Sequence, residues 1–279
     1  MKINWFPGHM NKSQKNIKKL FKNIDICLEI LDARIISASQ NPIFNSWKIK
    51  NKTIKIINKI DLADPIITKK WIFKFKKEKI SVLSINKNFK NISKYILHKI
   101  NNILIKKGNI VNPIKIIVIG IPNVGKSSII NQLVKKKICQ VANIASVTRN
   151  IKEVKFKKGK ILIYDTPGVM WTGKSCKEEY GHHLALCTAI KNIAFKYIDI
   201  TIFLINHLKR YYSNCLKKKY GIQNFLKDSE DIIKEIGKNQ NLISCNKNVS
   251  NIFILDKISR RIIQDFQSSK LGRISLDII

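Results

Sequence analysis

The chain has 279 residues, 53 Lys and Arg against 18 Asp and Glu, a formal net charge of +35, and 44% hydrophobic residues. That length allows one large domain or two smaller ones, with a core that needs neither disulfides nor metals. Six cysteines without a CxxC pair exclude a disulfide framework and fit a reduced cytosol, and the absence of any long apolar run makes a secretory signal or membrane span unexpected.

The first predicted element is an amphipathic helix over residues 11–24, with Asn11 as its cap and Ile17, Leu20, Phe21 and Ile24 on one face. The apolar run Ile26–Leu31 reads as a buried strand ending at Asp32-Ala33-Arg34. A second strand, Ile54–Ile57, delivers Asn58-Lys59-Ile60-Asp61, and a third, Ile80–Leu83, delivers Ser84-Ile85-Asn86 and Lys87. Tyr95, Ile96, Lys99, Ile100 and Ile103 follow at helical spacing. A fourth strand, Ile114–Ile119, runs into Gly120-Ile-Pro-Asn-Val-Gly-Lys-Ser127 and a helix from Lys126 to Val134. Strands near 151–157 and 160–164 complete the set, and Asp165-Thr166-Pro167-Gly168 follows the last. Strands alternating with helices predict an α/β fold with a mostly parallel sheet and ligands at its carboxyl edge.

After Gly168 the pattern turns helical. One helix opens at Ser229-Glu230-Asp231 and is expected to stop at Gly237; a longer one carries Ile252, Leu255, Ile258, Ile262 and Phe266, with Gly272 beyond its end. The expected division is an α/β domain over 1–175 and a helical domain over 176–279.

The motifs carry the chemistry. Residues 120–127 match GxxxxGK[ST], in which backbone N–H groups surround a phosphate, Lys126 reaches its oxygens and Ser127 offers its hydroxyl to Mg²⁺. Asn123, Val124, Gly125 and Ser128 belong to the same loop. Asp165 is a second Mg²⁺ candidate, Gly168 a sensor of the γ-phosphate, and Thr148 a switch threonine. Asp61 can accept from both N1–H and the 2-amino group of guanine, a pair adenine does not offer. Lys59 can lie along the base and Asn58 can tie the base loop to the phosphate loop. The base box precedes the phosphate loop by about sixty residues, the reverse of the ordinary order, which predicts a circularly permuted GTPase.

These residues resemble the ribosome biogenesis GTPase A family nearly end to end. The likeness includes Trp5-Phe6-Pro7-Gly8-His9-Met10, Leu31-Asp32-Ala33-Arg34 with Asn41-Pro42, Asn58–Asp61, Pro122–Ser128, Asp165–Val169 and Lys270-Leu271-Gly272-Arg273. The resemblance implies a cytoplasmic GTPase that assists late assembly of the large (50S) ribosomal subunit, with a carboxyl-terminal helical domain on ribosomal RNA. The family's usual Pro-Gly before the switch threonine is Ala145-Ser146 here, which puts the geometry around Thr148 in doubt.

Other readings stay open. The basic charge points to nucleic acid before an anionic membrane, yet a chain crowded with Lys, Ile and Asn also fits A+T-rich coding drift. Lys257, Arg260, Arg261, Lys270 and Arg273 are candidates for RNA phosphates or a solvated helix face. Val169 stands where many GTPases place a water-orienting glutamine, so hydrolysis is expected to be slow alone and stimulated by the ribosomal particle. His9 is a candidate replacement, against simple packing or RNA contact. Asn123 is a candidate K⁺ ligand, against a loop-shaping amide. Trp5 and Phe6 can stack on bases or pack on the core. His182-His183 reads as a surface pair without metal partners. GTP or GDP would set the angle between the domains, as a clamp on RNA. A nucleotide-binding RNA scaffold with little turnover is the alternative class. A permuted GTPase of small-subunit assembly fits less well, because those typically add a β-barrel and a zinc site. A monomer off the ribosome is expected.

Overall fold

The computed structural model describes residues 9–46, 52–86, 88–105, 113–140, 150–170, 178–190, 194–242 and 251–279, without the side chains of 9–13, 45, 46 and 178. Its centre is a six-stranded sheet in the order β3-β2-β1-β4-β6-β5. The strands are β1 Ile26–Asp32, β2 Thr53–Asn58, β3 Ser81–Ser84, β4 Ile114–Ile119, β5 Lys152–Phe156 and β6 Ile161–Asp165. All neighbours pair parallel except β5 with β6. The apolar runs explain this: parallel strands covered on both faces need near-continuous aliphatic sequence.

Strand periodicity sorts that sequence into two faces. Leu28, Ile30, Ile54, Ile56, Ile116 and Val118 join one large buried cluster. Their neighbours in sequence face the other way, into two smaller ones. One sets Leu31 and Ile57 against Trp71 and Phe75 of helix α4, Pro65–Lys77. The other sets Cys27, Ile117 and Ile119 against Ile17 of helix α1, His9–Leu20. The β1–β2 register puts Glu29 opposite Lys55, and the buried pair meets at 2.6 Å.

The helices, in order after α1, are α2 Ile36–Ser39, α3 Pro42–Ser46, α4, α5 Ile92–Ile105, α6 Lys126–Val134, α7 Glu178–Leu186, α8 Tyr197–Tyr211, α9 Ser213–Tyr220, α10 Ser229–Asn239 and α11 Asn251–Gln267. Several differ from the sequence expectation. Helix α1 begins at His9, so Asn11 lies inside its first turn rather than capping it, and a 3₁₀ turn over Phe21–Asn23 replaces its last stretch. The buried stripe of α5 is Ile92, Ile96, Ile100 and Leu104, a strict four-residue repeat that leaves Tyr95 half exposed. Gly237 does not end α10; the helix continues to Asn239 with Gly237 buried against its neighbours. Helix α4, capped by the Asp64 carboxylate on the Ile66 and Ile67 amides, was not anticipated. The expected boundary near 172–180 falls largely on residues outside those described. The large cluster extends from the sheet to Leu204, Ile232, Ile262 and Leu276 of the helical part. Among the described residues, no helix is long and apolar enough to cross a membrane.

Candidate functional site

The strand order reverses between β1 and β4, and at such a point the loops splay apart to leave a crevice at the carboxyl edge. Four of the sequence motifs meet there. The phosphate loop follows β4, Asp32 ends β1, Asn58 ends β2 and Asp165 ends β6.

Backbone geometry builds the phosphate loop. Gly125 takes φ +97 and Asn123 φ +60 just before helix α6 begins, which aims the helix's first amides and the positive end of its dipole at the crevice. Gly168 lies so close to Pro122 that a Cβ there would sit 2.6 Å from Pro122 Cα. The segment after β6 is thereby pressed onto the phosphate loop, and the Val169 amide donates to Gly120 O at 3.3 Å. Lys126 is buried, and its ammonium donates to Gly120 O at 3.1 Å and Ile121 O at 2.9 Å. Burial pushes its pKa down to about 8, with the Asp165 carboxylate pulling the other way.

The base loop is fastened to the phosphate loop. Asn58 Nδ2 donates to Val124 O at 2.8 Å. Lys59, with φ +62, donates to Asn123 O at 2.6 Å and to Asp32 Oδ2 at 2.8 Å. Asp32 is buried and also receives the Arg34 guanidinium at 3.0 Å and 2.8 Å. Burial alone would raise its pKa, but Arg34 and Lys59 outweigh burial and hold the carboxyl well below the usual range. Asp61 is half-buried in this loop. Asn86 shapes the neighbouring turn, its side-chain oxygen accepting from the Asn88 amide at 3.0 Å. Ile85 O accepts from the Ile60 amide at 3.4 Å, so the two base-side loops are joined. Lys87 and Thr148 lie outside the described residues, as do Trp5, Phe6, Ala145 and Ser146; the His9 side chain does too.

The donor set suits a magnesium ion. Ser127 Oγ donates to Asp165 Oδ2 at 2.9 Å, while Asp165 Oδ1 is buried without a hydrogen-bond partner. A hydroxyl beside a carboxylate with an oxygen to spare is the oxygen-ligand chemistry Mg²⁺ takes. Among the described residues, no group of three or more His, Cys, Asp or Glu has the arrangement of a separate metal site.

Several side chains are held by contacts that the sequence did not specify. Asn123 Nδ2 donates to Thr188 O at 2.6 Å, which ties the phosphate loop to the segment after α7. His182 and His183 are not a surface pair: His183 is buried with Nδ1 3.2 Å from Asp277 Oδ1, and His182 stacks on Phe203 at 4.7 Å. Arg273 is exposed, yet its guanidinium bonds the base loop, Nε donating to Ala63 O at 3.0 Å and Nη2 to Ile60 O at 2.7 Å. Lys257, Arg260 and Arg261 stay exposed on α11, and Lys270 is exposed beyond it. Val169 is buried with Ile17, Ile117 and Ile119, so the residue after Gly168 serves the core.

A mostly parallel sheet, a GxxxxGK[ST] loop at its switch point and a base box that precedes it in sequence define a circularly permuted P-loop GTPase. A family model described as 50S ribosome-binding GTPase matches residues 115–247. The chain is 34% identical to ribosome biogenesis GTPase A of Bacillus licheniformis, over 99% of this chain and 98% of that one. It is 33% identical to that of Bacillus pumilus, over 99% of both. The structure of GNP-bound YlqF from T. maritima shares the fold, with a TM-score of 0.64 over 95% of this chain and 97% of that one at 24% identity. The chain belongs to the ribosome biogenesis GTPase A family; it is a GTP hydrolase of ribosome biogenesis.

Proposed function

We propose that this protein hydrolyses GTP to GDP while bound to a large (50S) subunit precursor late in assembly, and that the particle stimulates turnover. The observation that carries the nucleotide reading is the double tie of the base box to the phosphate loop, Asn58 to Val124 O and Lys59 to Asn123 O. In this reading Asn58, Lys59, Asp61, Asn86 and Lys87 form the base side. Asn123 to Ser128 and Gly168 take the phosphates, for which Lys126 exchanges its two carbonyl partners. Ser127, Asp165 and Thr148 would hold Mg²⁺, which would screen phosphate charge. K⁺ would take the side-chain oxygen of Asn123, whose nitrogen is committed to Thr188.

His9 is the proposed water-orienting residue. It begins α1, and Gln14 of that helix donates to Met170 O at 3.0 Å, which brings the helix alongside the segment after Gly168. A GTP-binding domain over 1–175 and a helical domain over 176–279 would change their angle with the nucleotide, and the exposed Lys257, Arg260 and Arg261 would meet RNA phosphates in the cytoplasm.

The test is GTP turnover with purified 50S subunits, with 30S subunits and alone, in K⁺ and in Na⁺ buffers. Slow turnover alone with stimulation by 50S only supports the proposal. Tight GTP binding without stimulation by either particle would make the protein a nucleotide-binding RNA scaffold instead. Equal rates in K⁺ and Na⁺ would remove the K⁺ site, and normal stimulation of His9→Ala would remove the role of His9.

A further inference from the structure

The loop that reads the base, between Asn58 at the end of β2 and Pro65 at the start of α4, is held from two sides. Asn58 and Lys59 fasten its inner end to the phosphate loop. Its outer side is held by the chain's last residues. Arg273 Nε donates to Ala63 O at 3.0 Å and Nη2 to Ile60 O at 2.7 Å. The Ile274 amide donates to Leu62 O at 3.2 Å, and the Asp64 amide donates to Ser275 Oγ at 3.1 Å. Tyr212 of the helical part donates its hydroxyl to Asp64 Oδ2 at 3.0 Å and accepts from the Ser275 amide at 3.3 Å. These bonds fall on Ile60, Leu62, Ala63 and Asp64, the residues that bracket Asp61.

The clamp is itself anchored. The Leu276 amide donates to Arg34 O at 2.8 Å, and the Asp277 carboxylate accepts from the Ser37 amide and faces His183. Ile274, Ser275 and Leu276 are buried. A guanidinium fork suits the task because its donors are held in one rigid plane, whereas an ammonium is a point charge on a flexible stem. The loop needs such support, since Lys59 occupies the left-handed region that side chains avoid.

We propose that the segment Arg273–Asp277 positions the base-reading loop, with Arg273 a specificity-determining positioning residue that aims the Asp61 carboxylate at the 2-amino group of guanine. The proposal rests on Asn58–Asp61 being the base loop. Asp61 needs two atoms in register with N1–H and the 2-amino group. Hypoxanthine keeps N1–H and lacks the 2-amino group, so the ratio of GDP to IDP affinity reports the aim of Asp61 separately from phosphate binding.

The experiment measures GDP and IDP dissociation constants for the full chain and for Arg273→Ala and Arg273→Lys, with thermal melts alongside. The wild type should prefer GDP. In Arg273→Ala GDP affinity should fall about tenfold while IDP affinity falls far less, the scale of one well-placed hydrogen bond. Arg273→Lys should recover part of the ratio. GDP and IDP falling by one factor, or an unchanged ratio, would overturn the proposal by reducing the tail to a staple of the fold. A wild type without any preference for GDP would instead overturn the base-loop reading, and this proposal with it. If Arg273→Ala does not fold, Tyr212→Phe reads the same ratio: a smaller ratio supports the clamp and an unchanged one refutes it.

Discussion

A Cβ built on Gly125 would lie 2.4 Å from Nδ2 of Asn58. The asparagine of the base box therefore reaches Val124 O only because the phosphate loop has no side chain at that point. Gly125→Ala would add about 1–2 kcal/mol of backbone strain at φ +97, and about 1–3 kcal/mol for orphaning the Asn58 amide or the Val124 carbonyl. GDP binding should weaken by at least about tenfold. Asn58→Ala in the same chain should then cost less than it does alone, a non-additivity that a double-mutant cycle on GDP affinity measures.

Asp32 is the electrostatic hub between the base box and the strands. Removing it leaves the buried Arg34 guanidinium without its two-pronged partner and Lys59 without one of its two acceptors. Breaking a buried pair from one side costs about 3–5 kcal/mol. Asp32→Ala should lower the unfolding free energy from urea titration at pH 7 by that amount; a loss near that of a surface salt bridge, under about 1 kcal/mol, would show the pairing to be dispensable.

The sheet and the crevice were legible because the central strands are local apolar runs that end on the residues they deliver: Ile57 to Asn58, Ile119 to Gly120, Tyr164 to Asp165. Helix α4 was legible in principle, since Asp64-Pro65 is a cap followed by a first-turn proline and Ile67, Trp71 and Phe75 recur every four residues. Interspersed lysines obscured it. The role of Arg273 was not legible. Its partners lie 210 and 213 residues away, and nothing local distinguishes an arginine that binds carbonyls from one that binds phosphate. His183 was missed for the same reason: its partner, Asp277, comes from the far end of the chain.

Lys126 should couple nucleotide binding to proton uptake. Its pKa in this structure is pushed down to about 8, and phosphate oxygens beside it favour the charged form. Above pH 8 the neutral amine must take up a proton as the nucleotide binds, so GDP affinity should fall as pH rises, by at most about tenfold per unit. Calorimetry at pH 8.5 in buffers of different ionisation enthalpy reads the uptake directly. Identical observed enthalpies in all the buffers would mean Lys126 is already charged before the nucleotide binds. The stability effect has the opposite slope: between about 8 and the unfolded value of 10.5 the unfolded chain holds the extra proton, so raising the pH relieves the cost of burying Lys126.

His207 gives a second pH signature. Burial pushes its pKa down to about 4, with the Ser275 carbonyl bond and Asp277 opposing and His183 adding to the shift. The unfolded chain binds a proton near the ordinary value of 6.5 and the folded one does not until about 4. This contribution is therefore present above pH 6.5 and is lost as pH falls from there through 4, up to about 3 kcal/mol. His207→Gln, which keeps a donor for Ser275 O, should flatten urea stability between pH 6.5 and 4. An unchanged slope would assign the acid sensitivity to other groups.

The basic face of α11 and Arg273, which bonds the base loop, make separable predictions. Lys257, Arg260 and Arg261 are exposed on one helix, although Arg260 also holds Asp256 at 2.7 Å and lies 3.9 Å over the Tyr197 ring. Each lysine or arginine that neutralises an RNA phosphate adds about 0.7–0.9 to the slope of log affinity against log salt. Replacing all three with glutamine should weaken binding to large-subunit RNA and reduce that slope by about 2–3, while GDP affinity stays as in the wild type. Arg273→Ala should do the reverse, changing nucleotide preference and leaving the salt slope alone. A slope untouched by the triple substitution would remove this face from the RNA contact. A slope that falls in Arg273→Ala would mean the terminal segment also meets RNA.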